Sequence, residues 1–237
     1  MINLKNNTKP YFAHAPGKPE FLPTWPLVKN YSLNNFTQTK TPKNITITTF
    51  NSCGNGYNNK ELGTFEKSLE KCGCTYTVLN HSGTWTNIKK IDLLKDFLPQ
   101  IKTKYILVSD SSDVVILRNL EKFVEEFLKF KKHAVFNAEK QIWPPDLDNS
   151  IVKFEEKKHP GHYLNAGLWF GETKFAKEIL DFPIPKAEGM YCNSEQRFYK
   201  NIYFNFENEI GIDIECKLFQ GLNRCDPSDI KIPKIIL

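Results

Sequence analysis

Apolar and polar residues beyond position 44 alternate between two periods. Residues 44–50, Asn44-Ile45-Thr46-Ile47-Thr48-Thr49-Phe50, alternate and are β-branched, which predicts a strand. Leu62, Phe65 and Leu69 fall at helical spacing and stop before Gly73. A second strand is predicted at 75–79, and a helix at 88–98 with Ile91, Leu94, Phe97 and Leu98 on one face. The run Tyr105-Ile106-Leu107-Val108 is apolar throughout, as a strand buried on both faces would be. Residues 114–117 continue extended and 120–130 read as a helix. So far the order is βαβαβ, the pattern of an α/β sheet with crossover helices.

The rhythm then changes. A short strand is predicted at 133–136, a break at Trp143-Pro144-Pro145, and a turn followed by a strand at 163–170. Helices are expected at 175–180 and 195–203, and a late strand at 213–219. No linker divides residues 44–237, which therefore read as one domain. Residues 1–43 are rich in Pro, Asn and Thr and read as an irregular N-terminal arm, docked through its aromatic pieces, without which the sheet is expected to form. Gly54-Asn55-Gly56 is not a dinucleotide fingerprint, because Asn59 stands where the last glycine belongs.

Composition narrows the function. A hydrophobic fraction of 40% in 237 residues supports a packed domain rather than disorder. The net charge of +5 is spread thinly, and the densest lysine groups, at 129–132 and 157–158, read as solvated faces. Nucleic acid is therefore not expected as a partner, whereas a mild positive excess suits an anionic ligand. Cys72-Gly73-Cys74 is too tight for a zinc or redox pair, so free thiols are expected. The N-terminus lacks the apolar core of a signal peptide and no stretch has the length of a membrane span, so the expected location is cytoplasmic.

Chemistry concentrates at Ser109-Asp110-Ser111-Ser112-Asp113, directly after the buried run. Strands of this kind deliver ligand-binding residues at the carboxyl edge of a sheet. Two carboxylates separated by two serines can converge on one point, where they would repel each other. A hard divalent cation removes that cost, and a diphosphate can complete its coordination. The same residues also make ordinary turn-forming, helix-capping aspartates.

Further marks follow in order: Trp85, Lys90, Phe136-Asn137-Ala138-Glu139 with Trp143-Pro144, Leu164-Asn165-Ala166-Gly167, Glu195-Gln196, and Asp213 with Phe219-Gln220. In order and spacing, residues 44 to about 224 resemble the glycosyltransferase domain of the procollagen-lysine hydroxylases and their viral and bacterial relatives. That resemblance implies an α/β GT-A fold, a mixed central sheet flanked by helices. It implies a metal-assisted transfer of a hexose from a UDP-sugar to a hydroxyl acceptor, a collagen-like hydroxylysine or a glycan, with Mn2+ or Mg2+ as the metal.

By the same resemblance, Asp110 and Asp113 are metal ligands and, with Ser112, border the diphosphate. Trp85 lies near the base, or is a packed loop anchor. Lys90 lies near the phosphates, or on a solvated helix face. Asn165 and Gly167 let the backbone approach the sugar, or form an ordinary turn. Glu195 sits near the sugar or acceptor, or is a first-turn helix carboxylate. Asp213 shapes the donor site, or begins a strand. A non-catalytic nucleotide-sugar binding module and a metal-dependent nucleotidyl or phosphoryl transferase remain as rivals.

The relatives end on an apolar pair followed by His-x-x-Gly, in a His-Gly-Asn-Gly segment that supplies a third metal ligand, and residues 233–237 lack it. The pattern instead occurs near the start, in Tyr11-Phe12-Ala13-His14-Ala15-Pro16-Gly17. Ends of compact domains often lie close together. The expectation is that the arm folds back and that the His14 imidazole joins Asp110 and Asp113, a mixed nitrogen–oxygen set acceptable to manganese. The plain alternative is a surface histidine in a tail.

Overall fold

A computed structural model describes residues 1–35, 39–53, 62–144, 162–183 and 192–233. The chain opens with β1 (Ile2–Asn3), β2 (Phe12–His14) and α1 (Trp25–Asn35). It continues through β3 (Ile45–Cys53), α2 (Thr64–Cys72), β4 (Thr77–Ser82), α3 (Lys89–Phe97), β5 (Tyr105–Ser109) and β6 (Val114–Ile116). Then come α4 (Phe123–Leu128), β7 (Ala134–Glu139), β8 (Tyr163–Glu172), α5 (Thr173–Asp181) and α6 (Glu195–Asn205). The last strands are β9 (Ile210–Asp213), β10 (Phe219–Gly221) and β11 (Ile230–Lys231).

Six strands form the central sheet in the order β4-β3-β5-β8-β7-β9. It is mixed: β3 runs parallel to β4 and β5, β7 parallel to β9, and β8 is antiparallel to both its neighbours. The carboxyl ends of β3, β4, β5, β7 and β9 therefore share one edge. Gly54-Asn55-Gly56 lies outside the described residues.

The all-apolar β5 explains itself by burial on both faces. Ile106 and Val108 join the core under α3, α5 and α6, with Phe136, Trp169, Ile179 and Tyr199. Tyr105 and Leu107 point the other way, among Phe65, Phe123, Phe127 and Phe170. Successive strand residues face opposite sides, so an unbroken apolar run fills two cores. Helix α2 stops where expected, because Gly73 takes a left-handed conformation (φ 75°) that closes its last turn.

A second sheet crosses the active edge, in the order β10-β2-β6. Here the structure corrects the reading of residues 1–43 as an irregular arm, because they contribute a paired strand, a helix and core side chains. Phe12–His14 is the middle strand, parallel to β10 and antiparallel to β6. Tyr11, Phe12 and Ala13 are wholly buried, and Phe12 meets Phe123 edge-on at 5.4 Å. Trp25 and Val28 of α1 pack on Val115 and Leu117 in a third core. Pro and Asn obscured this piece because a three-residue strand leaves no periodicity to read.

Two predictions need correction. Residues 163–170 contain no turn, since β8 runs unbroken and takes up a register shift opposite Phe136 and Asn137. No strand spans 213–219 either: β9 ends at Asp213 and β10 begins at Phe219. Among the described residues, no helix is long and apolar enough to cross a membrane.

Candidate active site and metal centre

The shared strand edge opens into a cavity of about 810 Å3. Asp110 follows β5, and its backbone N–H donates to the Gly167 carbonyl at 2.7 Å, fixing the turn against β8. The same turn is held from below, because the Ser111 hydroxyl donates to the buried Glu66 carboxylate at 2.7 and 2.8 Å. Asp113 leads into β6, and its carbonyl accepts the Ala15 N–H at 2.8 Å. That bond ties the aspartate turn to the end of β2.

Strand β2 thereby carries His14 to the aspartates. Its Nε2 lies 3.4 Å from Asp113 Oδ2. Ligand atoms of His14, Asp110 and Asp113 all fall within 4.8 Å of one another, a spacing that can hold a metal ion. Their remaining chemistry fits a cation. Apart from that long approach of Nε2 to Asp113 Oδ2, His14 Nε2 and Asp113 Oδ1 are buried with no hydrogen-bond partner among the described residues. Burial alone would lower the His14 pKa, but the Asp113 carboxylate, with Asp110 and Glu139 behind it, turns the balance and raises it. The site therefore seeks positive charge.

Gly167 leaves room for this cluster. A Cβ there would stand 2.5 Å from Asp110 Oδ2 and 2.6 Å from His14 Cε1. Only a glycine lets the histidine and the aspartate meet over β8.

Lys90, near the start of α3, is not solvated. Its Nζ donates to Asp110 Oδ1 at 2.5 Å and to Glu195 Oε1 at 2.7 Å. Burial would lower its pKa, but the two carboxylates outweigh it and raise the pKa, so the ammonium stays charged. Glu195 opens α6 behind a Ser194 cap and is buried against Lys90. Trp85 stands at the rim with Asn87, to which its indole N–H donates at 3.3 Å, and Phe50 lines the same side. Ser112 also lines the cavity.

Asn165 lies inside the cavity with both ends engaged. Its oxygen accepts the Gly167 N–H at 2.9 Å, and its amide donates to Glu139 Oε2 at 3.1 Å. Gln196 donates to the other Glu139 oxygen. Burial pushes the Glu139 carboxyl up to about 7, against the pull of those two donors. Sequence reasoning quoted Glu139 and Gln196 without giving them a role. The available signal was polar residues at alternate positions, Asn137 and Glu139, ending an otherwise apolar strand.

Asp213 is the predicted residue that the structure does not bring to the cavity lining. It is fully buried, and its carboxylate accepts the backbone N–H groups of Lys217, Leu218 and Phe219 at 2.7–2.9 Å. Its work is to fold the loop between β9 and β10. Burial raises its carboxyl to about 6 despite three donors.

The family described as PLOD GT domain matches residues 43–234. The chain belongs to that family. Its GT-A-like nucleotide-sugar fold follows from that membership together with the mixed sheet. The uncharacterised protein R699 of Acanthamoeba polyphaga mimivirus is 27% identical over 183 residues, 72% of this chain and 38% of that protein. A procollagen-lysine,2-oxoglutarate 5-dioxygenase of Drosophila melanogaster is 26% identical over 151 residues, 60% of this chain and 20% of that protein. The chain thus spans well under half the length of either relative. Among solved structures, a 4-diphosphocytidyl-2C-methyl-D-erythritol synthase of Anaerococcus prevotii aligns over 81% of this PLOD GT domain chain and 94% of its own. Its identity is 11% and its TM-score 0.37, too loose a likeness to bear on chemistry.

Proposed function

We propose that this PLOD GT domain transfers a hexose from a UDP-sugar to a hydroxyl acceptor, a collagen-like hydroxylysine or a glycan, with Mn2+ or Mg2+ bound by His14, Asp110 and Asp113. The observation that carries the reading is the convergence of those three side chains, two of their atoms unpartnered, on the cavity that Lys90 also enters. When bound there, a divalent cation supplies charge to stabilise the departing diphosphate. The residues do the rest. Lys90 holds a fixed ammonium beside Asp110, within reach of a phosphate, and Glu195 keeps it in place. Trp85 and Phe50 offer aromatic surface to a base at the rim. Asn165, braced by Gly167 and Glu139, positions the sugar.

A proton must leave the acceptor hydroxyl. Glu195 is neutralised by Lys90, so we assign that proton to Glu139, whose carboxyl titrates near neutral pH and borders the same cavity. The test is a panel of UDP-sugars with Mn2+, reading the nucleotide released with and without acceptor. Free UDP supports the proposal. UMP would mean cleavage within the diphosphate, and binding without release would mean a module that only holds the nucleotide sugar; either result ends it.

A further inference from the structure

A histidine can ligate a metal through Nε2 only if the ring proton sits on Nδ1. Among the described residues, the Nδ1 of His14 faces the amide of Asn137, at 3.1 Å. We propose that Asn137 is a positioning residue that makes His14 a ligand, by accepting the Nδ1 proton on its amide oxygen. The inference rests on the metal reading of the site and adds to it the residue that decides which ring nitrogen is free.

Three buried atoms at this point have no hydrogen-bond partner: His14 Nε2, Asp113 Oδ1 and Asn137 Oδ1. An unpaired buried amide oxygen is destabilising. With the amide nitrogen turned to Nδ1, that nitrogen must be an acceptor. The single proton of a neutral imidazole then sits on Nε2, where a cation would bind. A half-turn of the amide reverses every role. Oδ1 takes the Nδ1 proton and gains the donor it lacks, and Nε2 presents a lone pair toward Asp113 and Asp110. Nε2 and Asp113 Oδ1 are then free as metal-ligating lone pairs, and Nδ2 takes the place that Oδ1 held.

The backbone is built for this contact. Asn137 is wholly buried, and the register of β7 on β8 shifts between Phe136 and Asn137. Such irregularities re-aim a side chain. Polar partners of this kind fix the tautomer of a ligating histidine and are worth about 10–100-fold in metal affinity.

The experiment measures Mn2+ binding to the whole chain, without nucleotide, by electron paramagnetic resonance of free Mn2+, for the parent, Asn137→Leu and Asn137→Asp. Leucine keeps the volume and removes the acceptor, whereas aspartate keeps the acceptor. The positioning role predicts a loss of about 10–100-fold for Asn137→Leu and retention within about threefold for Asn137→Asp. A merely structural role predicts the reverse, since a buried site tolerates leucine better than an added charge. Circular dichroism checks the fold, and Asn137→Ala replaces the leucine variant if that one is unfolded. Parent-like binding by the acceptor-free variant, or equal loss in both variants, overturns the role of Asn137. A parent that binds no Mn2+ overturns the metal reading itself, and this inference with it.

Discussion

Adding one methyl group at Gly167 should dismantle the proposed metal centre while leaving the domain folded. In Gly167→Ala the new carbon would lie 2.5 Å from Asp110 Oδ2, 2.6 Å from His14 Cε1 and 3.0 Å from its Nε2. Ordinary contacts of a carbon atom are about 3.5 Å, so the aspartate oxygen and the ring must each retreat by roughly 1 Å. Metal bonds tolerate about 0.2 Å. The displacement therefore exceeds what a bound cation can absorb, and Mn2+ affinity should fall at least tenfold, which is about 1.4 kcal/mol.

Stability needs a separate control, since overpacking a strand costs about 1–3 kcal/mol wherever it occurs. Gly171, on the same strand, supplies it. A Cβ there would meet Ala134 Cβ at 2.8 Å and the His133 carbonyl at 2.9 Å, and none of its near neighbours is a metal ligand. Urea unfolding should rank both alanine variants as similarly destabilised, while Mn2+ titration should separate them. Equal loss of metal binding in both variants, or parent-like binding in Gly167→Ala, would refute the argument that His14 and Asp110 meet over that glycine.

Asp110→Asn and Asp113→Asn should each abolish Mn2+-dependent UDP binding in calorimetry, with melting curves close to the parent. Deleting residues 1–43 should unfold the chain. It removes Tyr11, Phe12, Trp25 and Val28 from the core at about 1.5–3 kcal/mol each, a loss comparable with a whole domain's stability of about 5–15 kcal/mol. A cooperative melt of the truncated chain would show the opposite. Glu139 should make stability fall with rising pH. Its carboxyl binds a proton more tightly folded, at about 7, than unfolded, at 4.5, so its contribution is complete below the lower value and lost through the upper. Denaturant titrations from about pH 5 to pH 8 should show that decline in the parent and a flatter profile in Glu139→Gln. Asp213→Asn should cost about 2–4 kcal/mol in urea without altering Mn2+ affinity, because one amide oxygen replaces two oxygens that serve three backbone donors.

What the sequence disclosed, and what it hid, follow from how far each interaction reaches along the chain. Strand β5 and the aspartate turn were legible because burial on two faces writes itself as a continuous apolar run, and the chemistry comes directly after it. Helices α3 and α6 showed their buried stripes, so Lys90 and Glu195 could be placed near helix starts, but not joined. Their ion pair spans 105 positions and depends on how two crossovers dock on one sheet. Asp213 was misplaced for the opposite reason. An aspartate five and six residues before the amides it caps looks in sequence like one more acidic mark in a series. Only the geometry shows its carboxylate turned inward on its own loop.

Residues 1–43 are the hardest case. Nothing periodic marks Phe12–His14 as a strand, because three residues suffice once β6 and β10 pair with it on both sides. Its residue pattern nevertheless singled out His14. Phe12 and Ala13 face opposite ways into two cores, and His14, two residues after Phe12, reaches the cavity. Parallel pairing of β2 with β10 puts Gly221 opposite His14, and a Cβ on Gly221 would stand 2.4 Å from the Ala138 carbonyl of β7. That close packing of β10 on β7 brings Asn137 against the ring. The position of His14 is thus set by partners distant in sequence, 123 residues away for Asn137 and 99 for Asp113, to which the strand around it is tied.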